Sequence, residues 1–369
     1  MGQRQGSLEK LGMNPSFWQN KSVFLTGHTG FKGSWLSLWL QKMGAKVHGY
    51  ALAPATDPSL FEVARVQDRL AGHQIGDLLD VEALTRALKA ARPKIVLHLA
   101  AQSLVRRSYQ QPLQTYATNV LGTATLLEAV RACSDVAAVV SVTSDKCYDN
   151  REWLWGYREI DGLGGHDPYS SSKACAELVT AAYRSSFLEA AGVAVASARA
   201  GNVIGGGDWA EDRLLPDFFR ALDAGRTLEV RHPEATRPWQ HVLEPLAGYL
   251  ALAQKLVESP RSAAQAWNFG PGEESERTVH WILDYLGRGT PAGGWQHVQA
   301  QHPHEARMLK LDSCRARDLL GWMPRWNIVQ ALDRTRAWHE SWRARADMRQ
   351  VCNAQIDDYS NAGTRDHAG

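Results

Sequence analysis

The sequence predicts an α/β fold: a doubly wound parallel sheet with a smaller, interleaved C-terminal domain. Three observations predict it. Short apolar and β-branched runs alternate with helical patterns from Val23 to about Asn202. The first run ends in a glycine-rich turn that opens a helix. After Asn202 the texture changes to flexible turns, strand stubs and separate helices.

The 369 residues suffice for one large or two small domains. A net charge of +2 gives no strong field, so neither nucleic acid nor a membrane surface is an expected partner. The five cysteines are scattered, with no spacing for a zinc site or disulfide framework, which fits a reducing compartment. No metal is expected. Residues 1–12 are polar, without the apolar core of a signal peptide, and residues 1–15 are expected to be a disordered extension. No run approaches the length of a membrane span. The expectation is a cytoplasmic protein. Of fourteen tryptophans, Trp322, Trp326, Trp338 and Trp342 cluster late and read as buried anchors.

The first element is the turn Lys21-Ser-Val-Phe-Leu-Thr-Gly-His-Thr-Gly-Phe-Lys-Gly-Ser34. Val23 to Leu25 is a strand, and Gly27, Gly30 and Gly33 follow at spacing three. A helix then begins, with Trp35, Leu36, Leu38, Trp39 and Leu40. Such glycines let the backbone approach a dinucleotide pyrophosphate, and the helix start offers unpaired N–H groups and a positive dipole end. Thr29, Phe31 and Lys32 lie within the same turn. The Gly-x-x-Gly-x-x-Gly spacing resembles the extended short-chain dehydrogenase/reductase family, which includes nucleotide-sugar epimerases and dehydratases. That resemblance implies a Rossmann-type domain and NAD.

Residues 46–52 read as the second strand. NAD-binding folds often place an acid at its end for the ribose 2′-OH. Tyr50, Ala51 and Leu52 stand there instead, so the NAD preference does not come from this position. Residues 60–69 read as a short helix, and residues 76–80 end a strand and enter a helix over 81–91. In the resembled family an Asp in this context contacts the adenine edge; Asp77 matches it, beside Leu78. Asp77 could instead be a helix N-cap, a role Asp80 fills more naturally. The strand over 94–99 ends in His98-Leu99-Ala100-Ala101-Gln102, small enough to let a cofactor lie close. A long helix over 113–133 contains Asn119. Two readings stay open for it: a polar residue on a solvated face, or, as in the family, a support for the active-site loop.

The strand over 137–143 stops at Ser144-Asp145-Lys146. Ligands of open α/β sheets bind outside the carboxyl ends of strands, so these polar residues are placed for chemistry. After a turn-rich loop comes Tyr169-Ser-Ser-Ser-Lys173, opening a helix to about residue 190 and putting Tyr and Lys on one face. A phenol has an ordinary pKa of ~10, and a neighbouring ammonium favours its phenolate, which can then take a hydroxyl proton. The pair is the signature of the same family, and Lys173 would also hold the nicotinamide ribose. Ser197 to Asn202 closes a sixth strand.

Within that family the sequence resembles the CDP-glucose 4,6-dehydratase branch from about Ser16 to the helix over 329–345. The similarity is carried by Gly27-His-Thr-Gly-Phe-Lys-Gly-Ser34, Thr143-Ser-Asp-Lys-Cys-Tyr148, Glu152-Trp-Leu-Trp-Gly-Tyr157, Gly164-Gly-His-Asp-Pro-Tyr169, Arg199-Ala-Gly-Asn-Val-Ile-Gly-Gly-Gly-Asp-Trp209 and Arg237-Pro-Trp-Gln-His-Val242. The resemblance implies conversion of CDP-D-glucose to CDP-4-dehydro-6-deoxy-D-glucose and water. Tyr169 would take the C4 hydroxyl proton, with Ser144 on the same oxygen. Asp145 would be the acid for the C6 hydroxyl, which asks for a pKa raised by burial. The dTDP-glucose dehydratases have Thr-Asp-Glu where this chain has Ser144-Asp145-Lys146. Two roles stay open for Lys146: base at C5, which needs a pKa well below ~10.4, or stabiliser of the enolate.

For the substrate side the candidates are Asn202, Arg213, Arg237 and Arg307, since a diphosphate calls for guanidinium forks. Arg307 could equally be a surface ion pair. Gln240 and His241 either line the same cleft or pack. The expected division is a cofactor domain over 16–200, rejoined by 238–266, a smaller substrate domain over 201–237 and 267–350, and a tail over 351–369. A 4-epimerase on the same fold would need no acid–base pair for C5 and C6, and a non-catalytic dinucleotide sensor would not need Tyr169 and Lys173. The helices over 113–133 and 170–190 are apolar on more than one face; in the family they form an intersubunit four-helix bundle, so a homodimer is expected.

Overall fold

The computed structural model describes residues 14–288, 294–298 and 308–362. The expected extension lies outside them as far as residue 13. Asn14 is already held, its N–H donating to Gln254 Oε1 at 2.8 Å and its side chain capping the turn Pro15–Trp18.

Six strands run in order through the first half: β1 (Ser22–Thr26), β2 (Lys46–Ala51), β3 (Gly72–Ile75), β4 (Ile95–His98), β5 (Ala138–Val142) and β6 (Ala194–Arg199). The second half adds β7 (Val203–Ile204), β8 (Leu228–Val230), β9 (Thr236–Pro238), β10 (Gln240–His241), β11 (Ala266–Asn268), β12 (Glu276–Thr278) and β13 (Trp295–His297). The main sheet is parallel, in the order β11-β6-β5-β4-β1-β2-β3. The chain order reverses between β1 and β4, the switch point where such sheets bind ligands. Every residue of β4, β5 and β6 is buried, which explains their unbroken apolar or small-residue runs. The remaining strands form three short pairs, β7 with β10, β9 with β12 and β8 with β13.

The longer helices are α1 (Phe31–Lys42), α2 (Val81–Ala91), α3 (Gly122–Arg131), α4 (Pro168–Tyr183), α5 (Leu214–Asp223), α6 (Leu243–Glu258), α7 (Val279–Gly287), α8 (Cys314–Leu320), α9 (Ile328–Arg343) and α10 (Met348–Ala362). Turns of helix from Pro112 lead unbroken into α3. Residues 60–69 are not one helix: Arg65, at φ 48°, separates the single turn Leu60–Val63 from a 3₁₀ turn, Val66–Arg69.

α1 is buried all round, from Gly33 to Leu40. A helix apolar on every face needs a second cover besides its sheet. α10 is that cover: Tyr359 packs edge-on to Trp39, and Lys42 pairs with Asp357 at 2.9 Å. In sequence, residues 351–369 read as a tail, because Met348, Cys352, Ile356 and Tyr359 make only a thin apolar stripe on an otherwise polar helix. Buried Glu244 at the start of α6 fastens this segment. It accepts the N–H groups of Arg325 and Trp326 and, at 2.6 Å, the Tyr359 hydroxyl. Burial pushes its carboxyl up to about 7 against those hydrogen bonds.

A separate apolar cluster forms the smaller unit, with Leu215, Phe218, Trp239, Ile282, Leu286 and Leu332. Trp267, expected in that unit, instead lies on β11 at the edge of the main sheet, where it is buried in the main core and its indole N–H donates to the Ala263 carbonyl at 2.8 Å. Trp322, Trp326 and Trp338 are buried in the main core as expected. No helix among the described residues is long and apolar enough to cross a membrane.

Candidate active site

A cavity of about 1790 Å³ opens at the carboxyl ends of β1, β4, β5 and β6. A pocket for one small ligand is typically ~300–1,000 Å³, so this one has room for two side by side. The glycine turn forms one end. Gly27 is left-handed at φ 76°, and a Cβ there would sit 2.7 Å from the Ala100 nitrogen. At Gly33 a Cβ would lie 2.1 Å from the Gly27 carbonyl oxygen, so only glycine lets α1 start this close to β1. Gly30 is different: a Cβ would meet nothing nearer than 3.4 Å, and the residue caps α1 without offering a side chain. The first-turn N–H groups of α1 therefore have no side-chain cap. That is a cradle for a phosphate.

Thr29 ties the turn to the end of β2 by donating to the Leu52 carbonyl at 2.8 Å. Phe31, Lys32, Leu78, Leu99, Ala100, Ala101 and Gln102 continue the wall. Burial pushes the Lys32 ammonium down to about 8, helped by Arg213 and Lys173. Asp80 is the N-cap of α2, accepting from Ala83 N–H at 2.9 Å. Asp77 is thus not that cap, and it lines the cavity. Asn119 is buried rather than solvated. It accepts the Gln102 N–H at 2.8 Å, donates to the Gln102 carbonyl at 2.9 Å and to Ser172 Oγ at 2.9 Å, so it braces the wall from behind.

The middle of the cavity holds the polar residues that follow β5. Ser144 begins a 3₁₀ turn, Asp145–Cys147, and its hydroxyl donates to Asp145 Oδ1 at 2.8 Å. The carboxylate of Asp145 lies hard against the backbone: a Cβ on Gly201 would be 1.9 Å from Oδ2. Lys146 is half-buried on the same wall, and its ammonium makes no ion pair among the described residues. Across from this turn, Asp167 caps α4 and so fixes Tyr169 in its first turn. Burial pushes the Tyr169 phenol up to about 12, against a hydrogen bond with Ser144. Burial pushes Lys173 down to about 8, with Glu177 opposing. All five residues share the cavity wall. Burial alone thus works against a tyrosine base, and positive charge must be brought to it.

At the other end, Asn202 (left-handed, φ 49°), Arg213 and Arg237 line the cavity. Arg213 is aimed by Asp208 at 2.9 Å and by Ser103 Oγ at 3.0 Å. Gln240 and His241 take the second of their two readings. Gln240 is buried beneath the floor and donates to the carbonyls of Gly201 and Phe269. His241 is wedged between Trp35 and Trp326, where burial pushes its ring down to about 3. Arg307 lies outside the described residues. The sequence reading missed Asp208 and Ser103 as the groups that orient Arg213. Asp208 stands in a quoted motif, but nothing in the spacing says that it faces an arginine.

Fold and site together define an enzyme of the nucleotide-sugar-modifying class: a dinucleotide cradle, a Tyr/Lys pair and an acid/lysine turn on one cavity. The model of the GDP-mannose 4,6-dehydratase family matches residues 24–335, and the chain belongs to that family. It is 52% identical over 360 residues to the CDP-glucose 4,6-dehydratase of Salmonella typhimurium, spanning 96% of this chain and 100% of that protein. Among solved structures it is similar to an epimerase of Methanothermobacter thermautotrophicus, with a TM-score of 0.75 and 25% identity over 92% of this chain and 97% of the other. It also shares the fold of the dTDP-glucose 4,6-dehydratase of Bacillus anthracis solved with NAD, at TM-score 0.73 and 22% identity over 89% and 99% of the two chains.

Proposed function

We propose that the chain is a cytoplasmic, NAD-dependent CDP-D-glucose 4,6-dehydratase, forming CDP-4-dehydro-6-deoxy-D-glucose and water. The observation that carries the reading is the meeting of Ser144-Asp145-Lys146 with Tyr169 and Lys173 on one cavity wall. An epimerase has no use for Asp145 and Lys146, and a sensor has no use for Tyr169 and Lys173. The 52% identity over nearly the whole chain supports the CDP-sugar as substrate.

The glycine cradle, Lys32 and Lys173 fit NAD: the turn offers phosphate room at Gly30, and the two ammonium groups offer charge. NAD held there would supply the hydride acceptor for oxidation at C4 and the hydride donor for reduction at C6. Tyr169 takes the C4 hydroxyl proton, and Ser144 hydrogen-bonds the same oxygen. The C4 ketone makes the C5 hydrogen acidic. Lys146 removes that proton, Asp145 protonates the C6 hydroxyl, which leaves as water, and Lys146 returns a solvent-exchanged proton to C5 as C6 is reduced. Arg213 and Arg237 hold the diphosphate with guanidinium N–H groups.

The test is to incubate the purified protein with CDP-glucose and NAD⁺ and weigh the product. Loss of one water from the nucleotide sugar is the expected result. An unchanged mass with an inverted C4 would make it an epimerase. Silence on CDP-, dTDP-, GDP- and UDP-glucose, with NAD still bound, would leave a sensor.

The same reading includes a homodimer. Leu113, Leu121 and Leu178 are 84%, 57% and 59% exposed on the adjoining helical segments that contain α3 and α4. Tyr116 and Phe187 are exposed beside them. Such a face suits a second copy of itself. Light scattering at micromolar concentration is expected to give twice the chain mass, and a monomer would remove this part of the proposal.

A further inference from the structure

Behind the cavity, outside its wall, lies a buried ion pair that the chemistry above does not use. Glu177 stands one turn past Lys173 on α4, and Arg199 ends β6; both side chains are 3% exposed. Arg199 Nη2 donates to Glu177 Oε2 at 2.8 Å, and Ser197 Oγ donates to the same oxygen at 2.6 Å. The two remaining arms of the pair reach residues that bracket the catalytic turn. Thr143, immediately before Ser144, donates its hydroxyl to Glu177 Oε1. Tyr148, immediately after Cys147, accepts from Arg199 Nη1 at 2.7 Å and donates its own hydroxyl to Asn268 Oδ1 at 2.8 Å. Asn268 in turn donates to the carbonyls of Tyr157 and Asp312.

We propose that the Glu177–Arg199 pair is a positioning device that clamps both ends of the turn Ser144–Cys147 against α4, and so sets the register between the Tyr169/Lys173 pair and the Asp145/Lys146 pair. Burying two charges costs desolvation, and an apolar pair of equal volume often holds a core as well. What an apolar pair does not provide is direction. Here each charged group spends a hydrogen bond on one end of the same short turn. Glu177 also rides on the helix that carries Tyr169, so any slip between the two catalytic pairs must break this link. Burial works to raise the Glu177 carboxyl, yet Arg199, Ser197 and Thr143 hold it below its ordinary value, which keeps the clamp charged at neutral pH. The oxidation at C4 draws on Tyr169 and Lys173, both carried by α4, and takes from the clamped turn only the Ser144 hydrogen bond. The elimination needs Asp145 and Lys146 correctly aimed at C5 and C6. A loosened clamp therefore slows the second step, which takes its acid and its base from the turn, more than the first, which takes one hydrogen bond from it.

This inference rests on the dehydratase reading. The test is single-turnover kinetics with NAD⁺ and CDP-glucose on the wild type, Tyr148→Phe and Glu177→Gln, following the NADH absorbance and the product together. Tyr148→Phe removes one hydroxyl and leaves the ion pair, so it stays folded if Glu177→Gln does not. The expected result is NADH appearing at close to the wild-type rate and decaying about tenfold more slowly, so that the reduced form accumulates. Arg199→Lys, which keeps the charge but loses the fork, is expected to fall in between. NADH formation and decay that fall by the same factor, or that do not change in Tyr148→Phe, would overturn the clamp. A wild type that forms no product would overturn the dehydratase reading itself, and the clamp with it.

Discussion

Tyr169→Phe is expected to lower kcat about 10³-fold, the size of effect a positioned general base contributes. Phenylalanine fills the same buried slot in the first turn of α4, so the fold and the cofactor cradle at Gly27, Gly30 and Gly33 are left alone. NAD binding, followed by calorimetry, is expected to change only a few-fold, whereas NADH formation in a single turnover disappears. Activity within tenfold of wild type would show that another group takes the C4 proton. The pH profile carries a matching signature. Lys32 and Lys173 are both pushed down to about 8 by burial, so their ammonium forms are complete well below that value and fade as pH rises through it. NAD affinity and kcat/KM are therefore expected to fall above pH about 8, and Lys32→Met is expected to weaken NAD binding at neutral pH and flatten its alkaline fall.

Local chemistry made much of this site legible in the sequence. A glycine turn between a first strand and a helix suits a dinucleotide phosphate, and a Tyr and Lys four apart on a helix share one face. The sheet could be read because β4, β5 and β6 are buried on both sides and so carry unbroken apolar or small-residue runs. What could not be read depends on contacts across the chain. α10 has a thin apolar stripe that makes sense only once α1 needs a second cover. Gln240 and His241 could line the cleft or pack, and only the fold, in which β10 buries both side chains in the core, decides between the two. The partners of Glu177 come from β6 and from Thr143, just past β5, and no spacing in α4 announces them.

The sharpest division of labour to test is between Asp145 and Lys146. In D₂O the wild type is expected to give product carrying one solvent deuteron at C5. Asp145→Asn keeps the packing against Gly201 but has no proton to give the C6 hydroxyl. Its turnover is expected to fall about 10²–10³-fold. C5 can still be deprotonated there, and return of the hydride to C4 then regenerates the sugar. Recovered CDP-glucose should therefore carry deuterium at C5 without having lost water. Lys146→Ala removes the half-buried side-chain nitrogen beside it and is expected to lose about as much turnover, but its recovered substrate stays unlabelled. Both variants retain Tyr169 and Lys173, so both should still form NADH. Label appearing in the Lys146→Ala substrate at the wild-type rate would reassign the C5 proton to another base and leave Lys146 as the cation that stabilises the enolate. The two roles left open by the sequence thus differ by one measurable atom. The difference is visible only because the two residues sit next to each other on one turn, where a substitution at either leaves the other in place.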